Sequence, residues 1–233
     1  MQEKPEKNEK AYEKVVHYIR SEIWRGNLKR GERLPSERDL AVMLGVSRNT
    51  VREAMRTLGL MGFVSSVRGV GNFVSCDLKQ NLSETFRMML MMGETNDLQV
   101  SQLRRGLESE TARLASHRIL PRQAAKLMDL ARRMREEPSP EKGSQLDQEF
   151  HTLLCEAAGN RLIYALFMAM LSTIHEFIST MFRRIVQNEE QAEKLYAAHE
   201  KLADALQRHD EDAALYAIRY HFEIVDQSIE HLP

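Results

Sequence analysis

The sequence is poor in cysteine, with two thiols, Cys76 and Cys155, among 233 residues and no Cys-x-x-Cys pair. This scarcity argues against a disulfide framework and indicates that both thiols are reduced, as in a cytosolic protein. No apolar run approaches the roughly 18 residues of a membrane span, and the charged first ten residues do not resemble a signal peptide. The sequence therefore predicts a cytoplasmic protein with no membrane partner.

Net charge is also nearly absent, at -1, but the charges are unevenly distributed. Residues 1–76 carry 14 Lys and Arg against 9 Asp and Glu, whereas the remainder carries 19 against 25. A basic front half joined to an acidic back half fits one domain that docks on phosphate and one that does not. The alternative is ordinary fluctuation of charge along the chain. The length allows two modest domains.

Residues 34–74 have the pattern of two short helices followed by a two-stranded hairpin. Ser36 is a suitable N-cap for the first helix, Gly45 interrupts its period, and Ser47 can cap the second. After Gly62 the apolar period falls to two, which is typical of strands. An amphipathic helix predicted over about 9–25 supplies a third helix for this domain.

The second of these helices presents basic and amide side chains on its outward face. Its apolar residues recur at spacings of three and four, which places Arg48, Asn49 and Arg52 near its exposed N-terminal side. Arg pairs bidentately with guanine and Asn with adenine in the major groove. Arg68 lies at the glycine-rich tip of the hairpin. These features predict a winged helix-turn-helix that binds DNA.

The rest of the chain has helical periodicity and no convincing strand alternation. The predicted fold is therefore mainly α, with three helices and a small β-hairpin followed by an all-α antiparallel helical bundle. The predicted boundaries are 8–76 for the DNA-binding domain, 77–82 for a linker and 83–233 for the bundle. The helices of the bundle are predicted at about 83–92, 97–117, 121–137, 144–158, 161–186, 188–209 and 211–231.

Four polar residues of the bundle form a candidate metal site. Asp147 and His151 are four residues apart and project from one helix face, although such pairs are also common on surfaces. His199 and His221 lie at or beside core-facing positions of two later helices. Imidazole and carboxylate ligands suit a divalent transition metal ion, with Zn²⁺ the first choice and Ni²⁺, Mn²⁺ or Fe²⁺ as alternatives. On an octahedral ion, a carboxylate or hydroxyl ligand could occupy the open positions.

Two further features of the bundle leave alternatives open. Arg104 and Arg105 are adjacent, and one of them could point inward to meet the carboxylate of a small acid while the other remains in solvent. The methionines at positions 88, 89, 91 and 92 are either flexible core residues or a surface for a partner, such as a dimer interface.

The chain resembles a known family of regulators. The front half is similar to the DNA-binding domain of GntR-type bacterial transcription regulators, on the residues GERLPSERDLAVMLGVSRNTVREAMRTL and RGVGNFV. The back half resembles the FCD effector domain of the FadR-like branch, on Arg104-x-x-Leu107-Glu108, Asp147-x-x-Phe150-His151, Ala157-x-Gly159-Asn160, His199-x-x-Leu202-x-x-Ala205 and His221.

The resemblance implies a homodimer that binds a palindromic operator. It implies that Arg38, Arg48 and Arg52 contact bases or phosphates and that Asn49 and Thr50 lie beside them. It places Arg68 and Gly69 of the wing in the minor groove. It also assigns the metal to Asp147, His151, His199 and His221, and an organic or sugar acid to that metal with help from Arg104. The fatty-acyl-CoA branch lacks these ligands, so that effector is set aside.

The sequence as a whole predicts a ligand-responsive DNA-binding regulator, with repression as the favoured sign. A second hypothesis is a metal sensor, in which the ion itself is the signal. A metal-dependent hydrolase is disfavoured, because no Asp or Glu is placed as a separate general base and the DNA-binding domain would have no purpose.

Overall fold

The computed structural model describes residues 5–75, 78–93 and 95–230. The chain divides into two units, Met1–Asn81 and Leu82–Pro233. The first contains α1 (Pro5–Trp24), α2 (Glu37–Leu44), α3 (Arg48–Leu60), β1 (Val64–Val67) and β2 (Gly71–Val74). Helix α4 (Leu78–Met91) begins in the first unit and continues into the second. The second unit then contains α5 (Asp97–Arg118), α6 (Pro121–Glu136), α7 (Pro140–Ala157), α8 (Arg161–Val186), α9 (Glu189–Gln207) and α10 (Glu211–Glu230).

Helices α2 and α3 form the predicted helix-turn-helix. The Ser36 hydroxyl accepts a hydrogen bond from the backbone N–H of Asp39 at 3.2 Å, and the Ser47 hydroxyl accepts one from Thr50 at 3.1 Å. Each such N-cap contributes about 1 kcal/mol to stability. Between the helices, Gly45 has φ 65°, a left-handed conformation that glycine adopts without steric cost. The turn and both predicted caps are thereby confirmed.

The core of the first unit joins these two helices to α1. Ile19 of α1, Leu40 of α2 and Val51 and Leu58 of α3 are fully buried together. Strands β1 and β2 pair antiparallel with Val64 opposite Val74. This unit is the predicted winged helix-turn-helix, with α1 as its third helix.

The second unit is the predicted helical bundle. Its core contains the fully buried side chains of Leu127, Phe150 and Phe222 from α6, α7 and α10. Helix α4 starts at Leu78, so most of the predicted linker, residues 77–82, is helical, and residue 77 lies outside the described residues. Helix α7 starts at Pro140 rather than near residue 144, because Ser139 caps it and proline suits a first turn.

Helix α4 presents the methionine run on its outer surface. Met88, Met89, Met91 and Met92 are 58%, 41%, 77% and 67% exposed. These values exclude the interpretation that the run is core, and they leave a surface for a partner. The opposite side of α4, with Phe86 and Leu90, packs against α8.

Helix α8 corrects the expectation that no segment approaches a membrane span. It has 26 residues and a mean hydropathy of 1.5 over 18 of them, so its length and composition alone would allow it to cross a membrane. This is weak support for a span, because the core helix of a bundle has the same properties. Its residues Phe167, Met170, Ile174 and Ile178 are buried in the second unit.

Candidate functional site

Three helices of the second unit bring together the four residues predicted to bind a metal. Asp147 and His151 lie one turn apart on α7, His199 lies on α9 and His221 on α10. All four side chains are buried, and each offers a ligand atom within 4.8 Å of the others. Each residue lies on the helix face that its sequence spacing predicts, and the fold brings these faces together.

The spacing of these ligand atoms suits a single ion. Oδ1 of Asp147 lies 3.1 Å from Nε2 of His199, 3.6 Å from Nε2 of His151 and 4.0 Å from Nε2 of His221. The Nε2 atoms of His151 and His199 are 3.3 Å apart. Zn–N bonds are about 2.0–2.1 Å long, so two ligand atoms on one ion lie at most about 4.2 Å apart. The donor set and these separations fit a divalent transition metal.

Polar contacts on the far side of two rings, a hydrogen bond at His199 and an ion-pair contact at His151, direct Nε2 toward the centre. Nδ1 of His199 lies 2.8 Å from the backbone oxygen of Leu195, so it carries the proton and donates it to that carbonyl. Nδ1 of His151 contacts the carboxylate of Glu108. Nδ1 of His221 has no hydrogen-bond partner among the described residues. Such outer contacts fix the tautomer and orientation of metal-binding histidines.

The electrostatics of the group keep a negative charge at its centre. Burial alone would raise the pKa of Asp147, but the charges and hydrogen bonds of His151 and His199 outweigh it and hold the pKa well below its usual range. Burial lowers the pKa of His151, but Glu108 and Asp147 together raise it to about 9. Burial and the neighbouring histidines lower the pKa of His221 well below its usual value. Metal ions bind a carboxylate and neutral imidazoles, so His151 would have to release its proton when an ion binds.

Glu108 is a functional candidate that was not predicted from the sequence. It is fully buried on α5, and one carboxylate oxygen accepts a hydrogen bond from Nε of Arg104 at 2.9 Å. Burial opposes ionisation of Glu108, but Arg104 and His151 outweigh it and lower its pKa. The sequence feature that could have identified Glu108 is its position four residues after Arg104, on the same helix face.

Arg104 is the inward member of the arginine pair. Its side chain is buried beside Glu108, and its guanidinium carbon lies 5.3 Å from the ring centroid of Phe222. Arg105 instead binds Asp226 at 2.9 Å and is 38% exposed. Arg104 is therefore the arginine that points inward, and its contact with the carboxylate of an acid stays a prediction.

A small cavity of about 20 Å³ adjoins the four-residue group, which is room for about one water molecule. It is lined by Arg104, Asp147, Ile178, Met181, Phe182, Ile185, Leu195, His221 and Val225. The apolar residues of this lining were not identified from the sequence, because apolar residues on a helix have the same pattern whether they fill a core or line a cavity.

The residues predicted to bind DNA form two groups in the first unit. Arg38, Arg48, Asn49 and Arg52 are exposed on α2 and α3. Nε of Arg52 lies 3.4 Å from a carboxylate oxygen of Glu37, a contact too exposed to hold it firmly. On the wing, Arg68 and Gly69 are exposed between the strands.

Thr50 differs from the other predicted DNA contacts. It is 8% exposed, and its hydroxyl lies 2.8 Å from that of Ser47. Its side chain therefore contacts the N-cap residue of α3 rather than facing outward.

Comparison with known proteins adds two family matches and full-length similarities. Residues 11–74 match "Bacterial regulatory proteins, gntR family", and residues 99–224 match "FCD domain". The chain is 31% identical to the HTH-type transcriptional regulator Mce2R of Mycobacterium tuberculosis, over 93% of this chain and 90% of that protein. It is 27% identical to the putative L-lactate dehydrogenase operon regulatory protein of Escherichia coli K12, over 94% and 86%. The solved structure of Streptococcus agalactiae GntR has a TM-score of 0.62 at 24% identity, covering 93% of this chain and 99% of that one.

Proposed function

Because the chain belongs to the GntR family of bacterial regulatory proteins and carries an FCD domain, we propose that it is a cytoplasmic repressor controlled by a small carboxylate bound at a metal ion. Family membership makes it a DNA-binding transcription regulator rather than an enzyme. In this proposal, residues 8–76 bind DNA, and residues 83–233 bind the effector and form the dimer. Residues 77–82 connect them.

The observation that carries the effector half of this proposal is the buried group of Asp147, His151, His199 and His221 beside Arg104. When bound, a divalent ion, with Zn²⁺ the first choice, supplies a Lewis acid that holds a carboxylate. The protein's own part is to orient the imidazoles and to exclude water. The hydrogen bond from Arg104 to Glu108 uses Nε, which leaves the two terminal nitrogens for the bound carboxylate.

The DNA half of the proposal rests on the exposed N-terminal side of α3. Arg38, Arg48 and Arg52 contact bases or phosphates, with Asn49 and Thr50 beside them. Arg68 and Gly69 on the wing enter the minor groove. A homodimer places two such units on a palindromic operator. The exposed methionines of α4 provide apolar area for association of two chains.

Control of DNA binding follows from linkage. An effector that binds one arrangement of the bundle better than another shifts the population of that arrangement and thereby the spacing of the two DNA-binding domains. A coupling of about 1–3 kcal/mol changes operator affinity by roughly 5–150-fold.

The test is an operator-binding titration after selection of preferred DNA from random duplexes. Fluorescence anisotropy of the selected duplex is measured with chelated protein, with Zn²⁺-loaded protein and with Zn²⁺-loaded protein plus a panel of small acids. The proposal expects sequence-specific binding that is weakened by an acid only when the metal is present. If removal of Zn²⁺ alone changes affinity as much as any acid, the ion is the signal and the carboxylate proposal is wrong.

A further inference from the structure

A short stretch of chain before α2 lies alongside the wing. Three backbone hydrogen bonds, each 2.8 Å long, join residues 31–34 to β2. Their N–H donors and oxygen acceptors are, in pairs, Gly31 and Val74, Val74 and Glu32, and Leu34 and Asn72. Arg33 lies between the last two of these bonds and is paired with Phe73 across the two segments. The backbone of Arg33 is therefore fixed relative to the wing.

The guanidinium of Arg33 lies over Gly71. Residues opposite each other in a sheet point to the same face, and residues two apart along a strand share that face, so Arg33, Phe73 and Gly71 are on one face of the wing. Nε of Arg33 is 3.0 Å, and a terminal nitrogen 3.4 Å, from the position that a Cβ atom on Gly71 would take. The missing side chain of Gly71 thus leaves the space in which the guanidinium lies.

The same glycine connects Arg33 to the tip of the wing. Gly71 is the first residue of β2 and directly follows the turn of residues 68–70. It has φ 138°, a conformation that glycine adopts readily and other residues rarely adopt. The wing therefore carries two guanidinium groups, Arg68 in the turn and Arg33 at the base of the turn.

The charge of Arg33 is exposed and has no acidic partner nearby. Within residues 11–75, no carboxylate oxygen lies within 4.0 Å of its guanidinium, whereas Arg25 and Arg52 are paired with glutamates at 3.3 and 3.4 Å. The carboxylate of the adjacent Glu32 instead accepts a hydrogen bond from the backbone N–H of Lys29 at 2.8 Å. The attraction of Arg33 for an anion is therefore not taken up by this part of the protein.

Resting on the proposed docking of the wing on DNA, we propose that Arg33 is a phosphate-binding residue of the wing. The turn of residues 68–70 projects beyond Gly71, so a turn that enters the minor groove brings Arg33 to the rim of that groove, where the phosphates lie. A guanidinium suits bidentate contact with a phosphate, and the position over Gly71 reduces the entropy lost on binding. Such a contact fixes the wing on the duplex without reading its sequence.

The test compares two duplexes over a range of salt concentrations. Wild-type protein and Arg33→Ala are titrated by fluorescence anisotropy with the selected operator and with a scrambled duplex, at about 50–200 mM KCl. Loss of one phosphate contact should make the slope of log K against log salt shallower by about 0.9 per bound chain, and at 0.1 M salt it should weaken binding by about eightfold per chain. Both duplexes should lose affinity by the same factor. An unchanged slope in Arg33→Ala overturns the inference.

Two matched variants separate a phosphate contact from other roles of Arg33. Arg33→Lys keeps the charge, so it should keep the wild-type salt slope and lose only part of the affinity, because lysine contacts a phosphate as a point charge. Arg20→Ala removes the same charge from an exposed position of α1 and should leave the slope unchanged. An equal loss in Arg20→Ala would assign the effect to net charge. A changed ratio of affinity between the two duplexes in Arg33→Ala would assign base recognition or wing structure to Arg33, and either result contradicts the phosphate contact.

Arg68→Ala, measured in the same titrations, separates this inference from the function on which it rests. If the wild-type protein selects no operator, the proposed function is wrong. If Arg68→Ala weakens operator binding while Arg33→Ala does not, the wing docks as proposed and the inference about Arg33 alone is overturned. If neither variant weakens binding, the wing does not dock on DNA and both are overturned.

Discussion

The carboxylate of Glu108 contacts Nδ1 of His151, and both side chains are almost completely buried. The other carboxylate oxygen of Glu108 accepts a hydrogen bond from Arg104 at 2.9 Å. Glu108 therefore joins the arginine proposed to hold the effector to a histidine proposed to hold the metal. Outer carboxylates of this kind orient the imidazole and raise its basicity as a ligand.

The first prediction concerns Glu108 as a positioning residue. Glu108→Gln removes the charge that faces Nδ1 of His151 but retains the size of the side chain, and Zn²⁺ affinity is expected to fall by about 10–100-fold. Glu110→Gln is the matched control, because Glu110 lies on the same helix and pairs with Arg113 in solvent. Competition with a fluorescent chelator measures both affinities. Wild-type Zn²⁺ affinity in Glu108→Gln would show that the contact does not support the metal.

The second prediction concerns the metal as part of the fold. In wild-type protein, Zn²⁺ at about 100 times its Kd should stabilise the folded state by about 2.7 kcal/mol, seen as a rise in Tm. His199→Ala removes a buried ligand atom and should abolish this rise. His175→Ala is the control, because His175 is exposed on α8 and pairs with Gln148. The readout is the difference in Tm with and without Zn²⁺, so a lower Tm of the metal-free variant does not affect it. A full Zn²⁺-dependent rise in His199→Ala would exclude His199 as a ligand.

Most of the fold could be predicted from local signals in the sequence. Ser36, Gly45 and Ser47 each act within one turn of the chain, so a short motif was sufficient to identify α2, α3 and the turn between them. The start of α4 was not predicted, because residues 78–82 have no clear apolar period and become helical in the context of the fold.

The candidate site was predictable only in part. Asp147 and His151 are four residues apart, so the sequence alone could place both side chains on one face of a helix. The contact between Glu108 and His151 joins two helices and depends on how α5 and α7 pack, which a single sequence does not reveal. Thr50 was named only through the family resemblance, as a residue beside the DNA contacts, and the packing of its hydroxyl against Ser47 could not be read from the sequence.

The third prediction concerns DNA recognition. Arg48→Ala and Arg52→Ala should each weaken binding to the selected operator by about 1–3 kcal/mol and relax its sequence preference, while metal content stays at the wild-type level. Arg20→Ala is the control, because Arg20 is an exposed arginine of α1 in the same unit. Anisotropy titrations with operator and with scrambled duplex measure the preference. If both variants keep the wild-type ratio between the two duplexes, α3 is not the recognition helix.

The fourth prediction uses two glycines that lie inside helices. At Gly143 an added Cβ would lie 2.7 Å from the ring of Phe182, whereas at Gly106 it would meet no atom within 4 Å. Gly143→Ala should destabilise the protein by about 1–3 kcal/mol, because the ring of Phe182 must move to make room for the added methyl group. Gly106→Ala should be neutral or stabilise α5 by up to about 1 kcal/mol. Chemical unfolding measures both, and equal stability of the two variants would contradict the close approach of α7 and α8.

The fifth prediction concerns the thiol of Cys155, which is 1% exposed on α7. Burial raises the pKa of this thiol, and the charge of Glu108 raises it further. Since the thiolate is the reactive form, a Cys76→Ser variant should react with Ellman's reagent at pH 8 at least about a hundredfold more slowly when folded than in denaturant. The rate in denaturant should level off above the ordinary thiol pKa of about 8.5, whereas the folded rate should continue to rise with pH. Rapid labelling of the folded variant would mean that the helices around Cys155 separate in the native state, and a metal group fixed by the same helices could not then remain closed to solvent.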